Sequence, residues 1–155
     1  MEPSRFDEVE FFRAVHHSGV RALLIGRRAL VVMGLPVLTA DYDFWLAIED
    51  IAPFNGIGEQ FDLHPTCTPD EARRRGRYVL ESDEHMDVLV ARNMTTLDGH
   101  VIAFDTMWAR KREITLGDVP VSLPSVDDLI LTKINPRPKD LEDIRLLRII
   151  KEQRT

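Results

Sequence analysis

Two aspartates stand at alternate positions of an otherwise apolar, aromatic-rich run, Asp41-Tyr42-Asp43-Phe44-Trp45-Leu46, preceded by Thr39 and Ala40. The aromatic composition predicts a strand over Asp41 to Ile48. In a strand, residues two apart share a face, so Asp41 and Asp43 project together while Tyr42 and Phe44 point the other way. Two ionised carboxylates side by side repel and gain nothing structurally. A bland arrangement would have one acid capping a turn at a strand end and the other solvated. A divalent cation removes the conflict instead, and Mg²⁺ is commonly held by one or two carboxylates together with substrate phosphates.

The flanking sequence bears on that choice. Upstream, Val20 to Ile25 is a short apolar run closed by Gly26, which reads as a buried strand. Arg27 to Met33 follows as a short helix ending at Gly34, with Gly34-Leu35-Pro36 as a turn. A strand running into a helix start leaves free backbone N–H groups suited to phosphate. Downstream, Asp87 lies within Met86-Asp87-Val88-Leu89-Val90, an acid inside another strand-like run. Burying it alone is costly, whereas a third carboxylate beside the first two would complete a two-metal site.

The rest of the chain supplies a framework. Ser4 is the expected cap of a first helix that runs to Gly19 with Phe6, Val9, Phe12 and Val15 at helical spacing. Pro53, Gly56 and Gly58 leave at most a short helix between Glu49 and Asp62. Thr68 caps a turn of helix with Pro69 at its first position, and Asp70-Glu71 complement the dipole. Tyr78–Leu80 and Met86–Ala91 read as a hairpin through Ser82-Asp83-Glu84, and Val101 to Arg112 fits no single pattern. Val119 to Leu123 is extended, Ser125 caps an amphipathic helix ended by Asn135-Pro136, and Lys139 to Lys151 forms a last helix. With no repeat or linker, residues 1–155 are expected to form a single α+β domain, a mixed β-sheet covered by helices.

Composition narrows the class further. A hydrophobic content of 44% argues against disorder, and a single cysteine, Cys67, excludes an internal disulfide framework or a cysteine-rich zinc site. The start Met1–Arg5 is polar with no apolar stretch behind it, and no run is long enough to span a membrane, so a cytoplasmic protein is expected. With 20 Lys+Arg against 26 Asp+Glu, the net charge of −6 speaks against adhesion to nucleic acid over the whole surface. The basic runs at residues 73–77, 110–112 and 133–139 read as solvated faces.

Leu24-Ile25-Gly26-Arg27-Arg28-Ala29-Leu30, then Gly34-Leu35-Pro36, Thr39 and Asp41-Tyr42-Asp43, resemble the nucleotidyltransferase superfamily, whose members of DNA polymerase β-like fold include minimal and abortive-infection toxin-like enzymes. The later blocks Leu123 to Lys133 and Arg137 to Ile144 are similar to that family as well. The resemblance implies a nucleotidyltransferase-like domain that moves a nucleoside monophosphate from an NTP to a hydroxyl acceptor (RNA, a protein or a small molecule). It implies Asp41, Asp43 and Asp87 as catalytic ligands of Mg²⁺ or Mn²⁺, and Gly26, Arg27, Thr39 and Lys133 as nucleotide-binding positions. It also leans towards a toxin-like role, with an antitoxin or a second copy as protein partner.

Arg27 stands where that family carries glycine or serine, and Val37 and Leu38 occupy a stretch that is usually basic. These departures keep open a second reading, a catalytically idle nucleotide-binding or protein-interaction module; a metal-dependent phosphodiesterase using the same acids is a third. Lys139, Asp140 and Asp143 are expected to fix helix packing by pairing along the helix surface. His16 and His17 suit a helix C-terminus, His64 and His85 lack ligand spacing, and Trp45 and Trp108 read as core.

Overall fold

A computed structural model describes residues 6–132 and 138–153 of the chain. Its centre is a five-stranded sheet built from β1 (Ala22–Ile25), β2 (Asp41–Leu46), β3 (His64–Pro65), β4 (Arg77–Glu81) and β5 (His85–Leu89). The spatial order is β1-β2-β5-β4-β3. All neighbours are antiparallel except β2 and β5, which run parallel, so the sheet is mixed. The expected hairpin is present: β4 and β5 pair across Ser82-Asp83-Glu84.

The helices between and around these strands are α1 (Glu8–Ser18), α2 (Gly26–Val32), α3 (Ile51–Gln60), α4 (Pro69–Arg75), α5 (Phe104–Ala109), α6 (Val126–Leu131) and α7 (Pro138–Gln153). Two small hairpins complete the fold: β6 (Asn93–Thr95) with β7 (Val101–Ala103), and β8 (Arg112–Leu116) with β9 (Val119–Leu123). No described helix is long and apolar enough to cross a membrane.

Local chemistry explains most boundaries. The cap of α1 is Asp7, whose carboxylate accepts the Glu10 N–H at 3.1 Å; Ser4, the expected cap, lies outside the described residues. Phe6, just before that cap, packs on Phe11 at 5.3 Å between ring centroids, a hydrophobic staple that sets where the helix begins. Thr68 and Glu71 form the full capping box of α4, and Ser125 accepts the Asp128 N–H at the start of α6. The helix α3 is longer than its Pro and Gly content suggests. Pro53 falls in the first turn, where its missing N–H costs nothing, and the bare Gly58 lets the Leu63 carbonyl approach. The unassigned stretch from Val101 divides into β7, α5 and the start of β8.

Each face of the sheet has its own apolar cover. Tyr42, Phe44 and Leu46 point into the main core with Phe11, Phe12, Phe54 and Leu80. Leu23 and Trp45 point the other way, into a smaller cluster with Ile102, Phe104 and Met107. Trp45 is fully buried there and donates its indole N–H to the Ala91 carbonyl at 2.8 Å, whereas Trp108 packs at the edge of the cluster.

Candidate active site

The parallel pairing of β2 with β5 decides what lies beside what. Its register sets Asp41 against His85, Asp43 against Asp87 and Trp45 against Leu89. Positions two apart share a face, so Asp41, Asp43, His85 and Asp87 lie on the face that carries Trp45 and Leu89. Register partners on adjacent strands sit about 4.7–4.9 Å apart at the backbone, which brings Asp87 next to Asp43 despite its distance along the chain. The smaller apolar cluster seals one end of this face and the acids occupy the other.

On the far side of Asp43 stands Gly26. It pairs with no strand residue; β1 ends at Ile25, opposite Asp43, and Gly26 opens α2 in the left-handed region at φ 69°. A Cβ at Gly26 would lie 2.5 Å from Asp43 Oδ2 and 3.1 Å from its Cγ. Only glycine fits there, both because of its backbone angle and because the carboxylate fills the space a side chain would take. Asp43 therefore has a bare backbone turn on one side and a second aspartate as its register partner on the other.

Asp87 faces side chains of its own strand pair. Its Oδ2 lies 3.3 Å from His85 Nε2, its Oδ1 lies 3.7 Å from an Arg77 guanidinium nitrogen, and His85 Nδ1 is 3.5 Å from Glu81. Among the described residues, no three His, Cys, Asp or Glu side chains are gathered closely enough to hold a metal ion. The backbone thus juxtaposes Asp41, Asp43 and Asp87, while the Asp87 carboxylate is turned towards His85 and Arg77. The alternation rule that relates Asp41 to Asp43 also relates His85 to Asp87, and that was the available signal for His85. Arg77 carried none, because it enters through the β4–β5 register.

Thr39 and Arg27 serve the framework of this site. Thr39 Oγ1 accepts the Asp41 N–H at 3.1 Å. Arg27 donates its Nε–H to both Asp143 oxygens at 3.2 Å and an Nη1–H to the Leu38 carbonyl at 3.1 Å. Asp143 is fully buried. An arginine of α2, across the fold, therefore pairs with it, because α7 packs that carboxylate inward. Lys133 lies outside the described residues. A cleft of about 160 Å³ lined by Phe12, His16, Trp108 and Lys111 contains none of the three aspartates.

Comparison with known proteins adds the family of folds. No protein-family model matches the chain, and no curated protein matches it in sequence. Among solved structures, a Thermotoga maritima protein assigned to the nucleotidyltransferases superposes with a TM-score of 0.57 at 14% identity, over 93% of this chain and 84% of that one. The chain has a nucleotidyltransferase-like fold. The antibiotic-resistance factor ANT(2'')-Ia, in complex with adenylyl-2''-tobramycin, matches with a TM-score of 0.61 at 16% identity, over 88% of this chain and 83% of that one. The lincosamide adenylyltransferase LnuA, with lincomycin bound, gives 0.62 at 15% identity over 86% and 89%. At these identities the nucleotidyltransferase-like architecture is what the proteins share.

Proposed function

We propose that the protein is a nucleotidyltransferase, which transfers a nucleoside monophosphate from an NTP to a hydroxyl of a small polyhydroxylated acceptor. The observation that carries the reading is the placement of Asp43 between Asp87, its register partner across a parallel strand pair, and the Gly26 turn, which leaves no room for a side chain. Acids gathered this way cost stability unless charge is shared out among them.

The donor set fits a hard divalent cation, Mg²⁺ or Mn²⁺, since all three candidate ligands are carboxylates. Asp41 and Asp43 would hold it, with Asp87 completing the set once its carboxylate leaves His85 and Arg77. When bound, such an ion offsets the charge that develops on the transferred phosphoryl group. The chain's own contribution is positioning. Gly26 keeps the backbone low beside Asp43, Asp87 orients the acceptor hydroxyl and takes its proton, and the apolar cluster behind Trp45 fixes the face on which both stand. The acceptor oxygen bonds to the α-phosphorus as the α–β bridge breaks, and pyrophosphate leaves with the electron pair of that bond. A small acceptor is favoured by ANT(2'')-Ia and LnuA, which carry small antibiotic-derived molecules on the same fold.

The test is transfer of label from α-labelled NTPs to a panel of hydroxylated acceptors with Mg²⁺. Wild type is expected to transfer label and Asp41→Asn/Asp43→Asn to lose it; equal labelling by both would remove these residues from the reaction. A second reading, nucleotide binding without turnover, draws on the engagement of Arg27 by Asp143 and of Asp87 by His85 and Arg77. Calorimetric binding of Mg²⁺–NTP by a protein that labels no acceptor would favour it.

A further inference from the structure

The geometry points to Arg28 as a positioning residue for Asp41, a role that rests on the proposed use of Asp41 as a cation ligand. The strand β2 is supported unevenly along its length. On the β1 side its last partner is Ile25, opposite Asp43, so β1 gives Asp41 and the segment leading into it no ladder. That segment nonetheless has to hold the Asp41 carboxylate in place, and Asp41 is itself exposed.

Arg28, in the first turn of α2, fills the gap. One guanidinium N–H donates to the Thr39 carbonyl at 3.0 Å, and Nε approaches the Asp41 carbonyl at 3.5 Å. Thr39 then fixes the next group along, its hydroxyl accepting the Asp41 N–H. Both backbone groups of Asp41 are therefore addressed by side chains where a neighbouring strand would otherwise address them. The guanidinium is itself immobilised: it lies 4.3 Å from the centroid of the Tyr42 ring, and the Arg28 side chain is only 15% exposed. A planar cation stacked on an aromatic face while its edge donates to a carbonyl has little freedom to turn. Tyr42 is anchored in the main core between Phe6, Phe12 and Phe44, so the chain of contacts leads from the core through Tyr42 and Arg28 to the backbone of Asp41. Lysine could not reproduce this, having a point charge and no fork.

The test is direct Mn²⁺ binding, followed by the paramagnetic signal of the free ion, with wild type, Arg28→Gln, Arg28→Lys and Glu8→Gln. Arg28→Gln is expected to weaken Mn²⁺ binding about tenfold and Arg28→Lys about threefold, consistent with loosening of a ligand without its removal. Glu8→Gln removes a charge near Arg28 but leaves the carbonyl contacts, and should bind Mn²⁺ as wild type does. In turnover, the Arg28 variants should need more ion for half-maximal rate while the rate at saturating ion changes little. A general loss of folding would lower both together. Folded Arg28 variants that bind Mn²⁺ within twofold of wild type overturn the inference, as does an equal loss in Glu8→Gln. Absence of Mn²⁺ binding by wild type overturns the nucleotidyl-transfer reading itself, and with it any role of this kind for Arg28.

Discussion

Replacing Gly26 by alanine separates two consequences of one methyl group. The first is backbone strain: an alanine held at φ 69° costs about 1–2 kcal/mol, partly offset by about 0.4–1 kcal/mol through the stiffer unfolded chain. The net destabilisation is about 1 kcal/mol, which for a chain of this size lowers Tm by about 2–4 °C. The second is steric. The new Cβ would stand 2.5 Å from Asp43 Oδ2, closer than any carbon–oxygen contact survives, so the carboxylate or the turn must retreat by about 1 Å. A displacement of that size at reacting groups costs on the order of 10²-fold in rate, or about 2.7 kcal/mol. Gly19 provides the control: it has a similar φ of 76° but nothing within 4 Å of its added Cβ. Gly19→Ala should therefore show a similar loss of Tm with unchanged activity, while Gly26→Ala loses about 10²-fold. Thermal melts and label transfer on both variants decide the matter. If the two variants retain equal activity, the close packing of Gly26 on Asp43 has no part in the chemistry.

Three further outcomes follow from the same structure. Asp143→Ala removes a fully buried carboxylate and strands Arg27, a quarter exposed, and should cost about 3 kcal/mol in urea unfolding; a loss below about 1 kcal/mol would mean the pair holds nothing together. Phe44→Ala empties a site fully enclosed by Phe11, Phe54 and Tyr42, and should cost about 3–5 kcal/mol by the same measurement. His64 is held above its ordinary pKa of 6.5, first by its hydrogen bond to Glu59 and then by that to Asp62. A raised folded-state value stabilises the protein below about pH 6.5 and loses that contribution as pH rises through the shifted value. Melts between pH 5.5 and 8, as an order-of-magnitude window around that value, should therefore show a small decline with rising pH that His64→Gln flattens. The site is exposed, so the effect is small, and an unchanged slope would show that Glu59 and Asp62 do not hold the imidazolium.

What could be read from the linear chain, and what could not, divides along a physical line. Asp41 and Asp43 share a face because strand alternation is a property of the backbone itself, and Thr68, Ser125 and the Ser82–Glu84 turn mark their elements through contacts within a few residues. The first helix starts at Asp7, where the packing of Phe6 on Phe11 supports the cap, a contact that a list of capping residues omits. Likewise α3 outlasts its glycines because Ile51, Phe54 and Ile57 are buried, and burial outweighs weak propensity.

The amino-acid order alone thus settled the strand character of the two-aspartate segment, the common side of its acids and the tight turn at Gly26, all of which depend on neighbours in the chain. Which acid stands opposite Asp43, which carboxylate takes Arg27, and which guanidinium supports the approach to Asp41 were decided by tertiary structure. Those choices depend on strand register and helix docking, and both are set by burying two different apolar faces of the sheet at once, a condition on the whole molecule that no short stretch of residues contains.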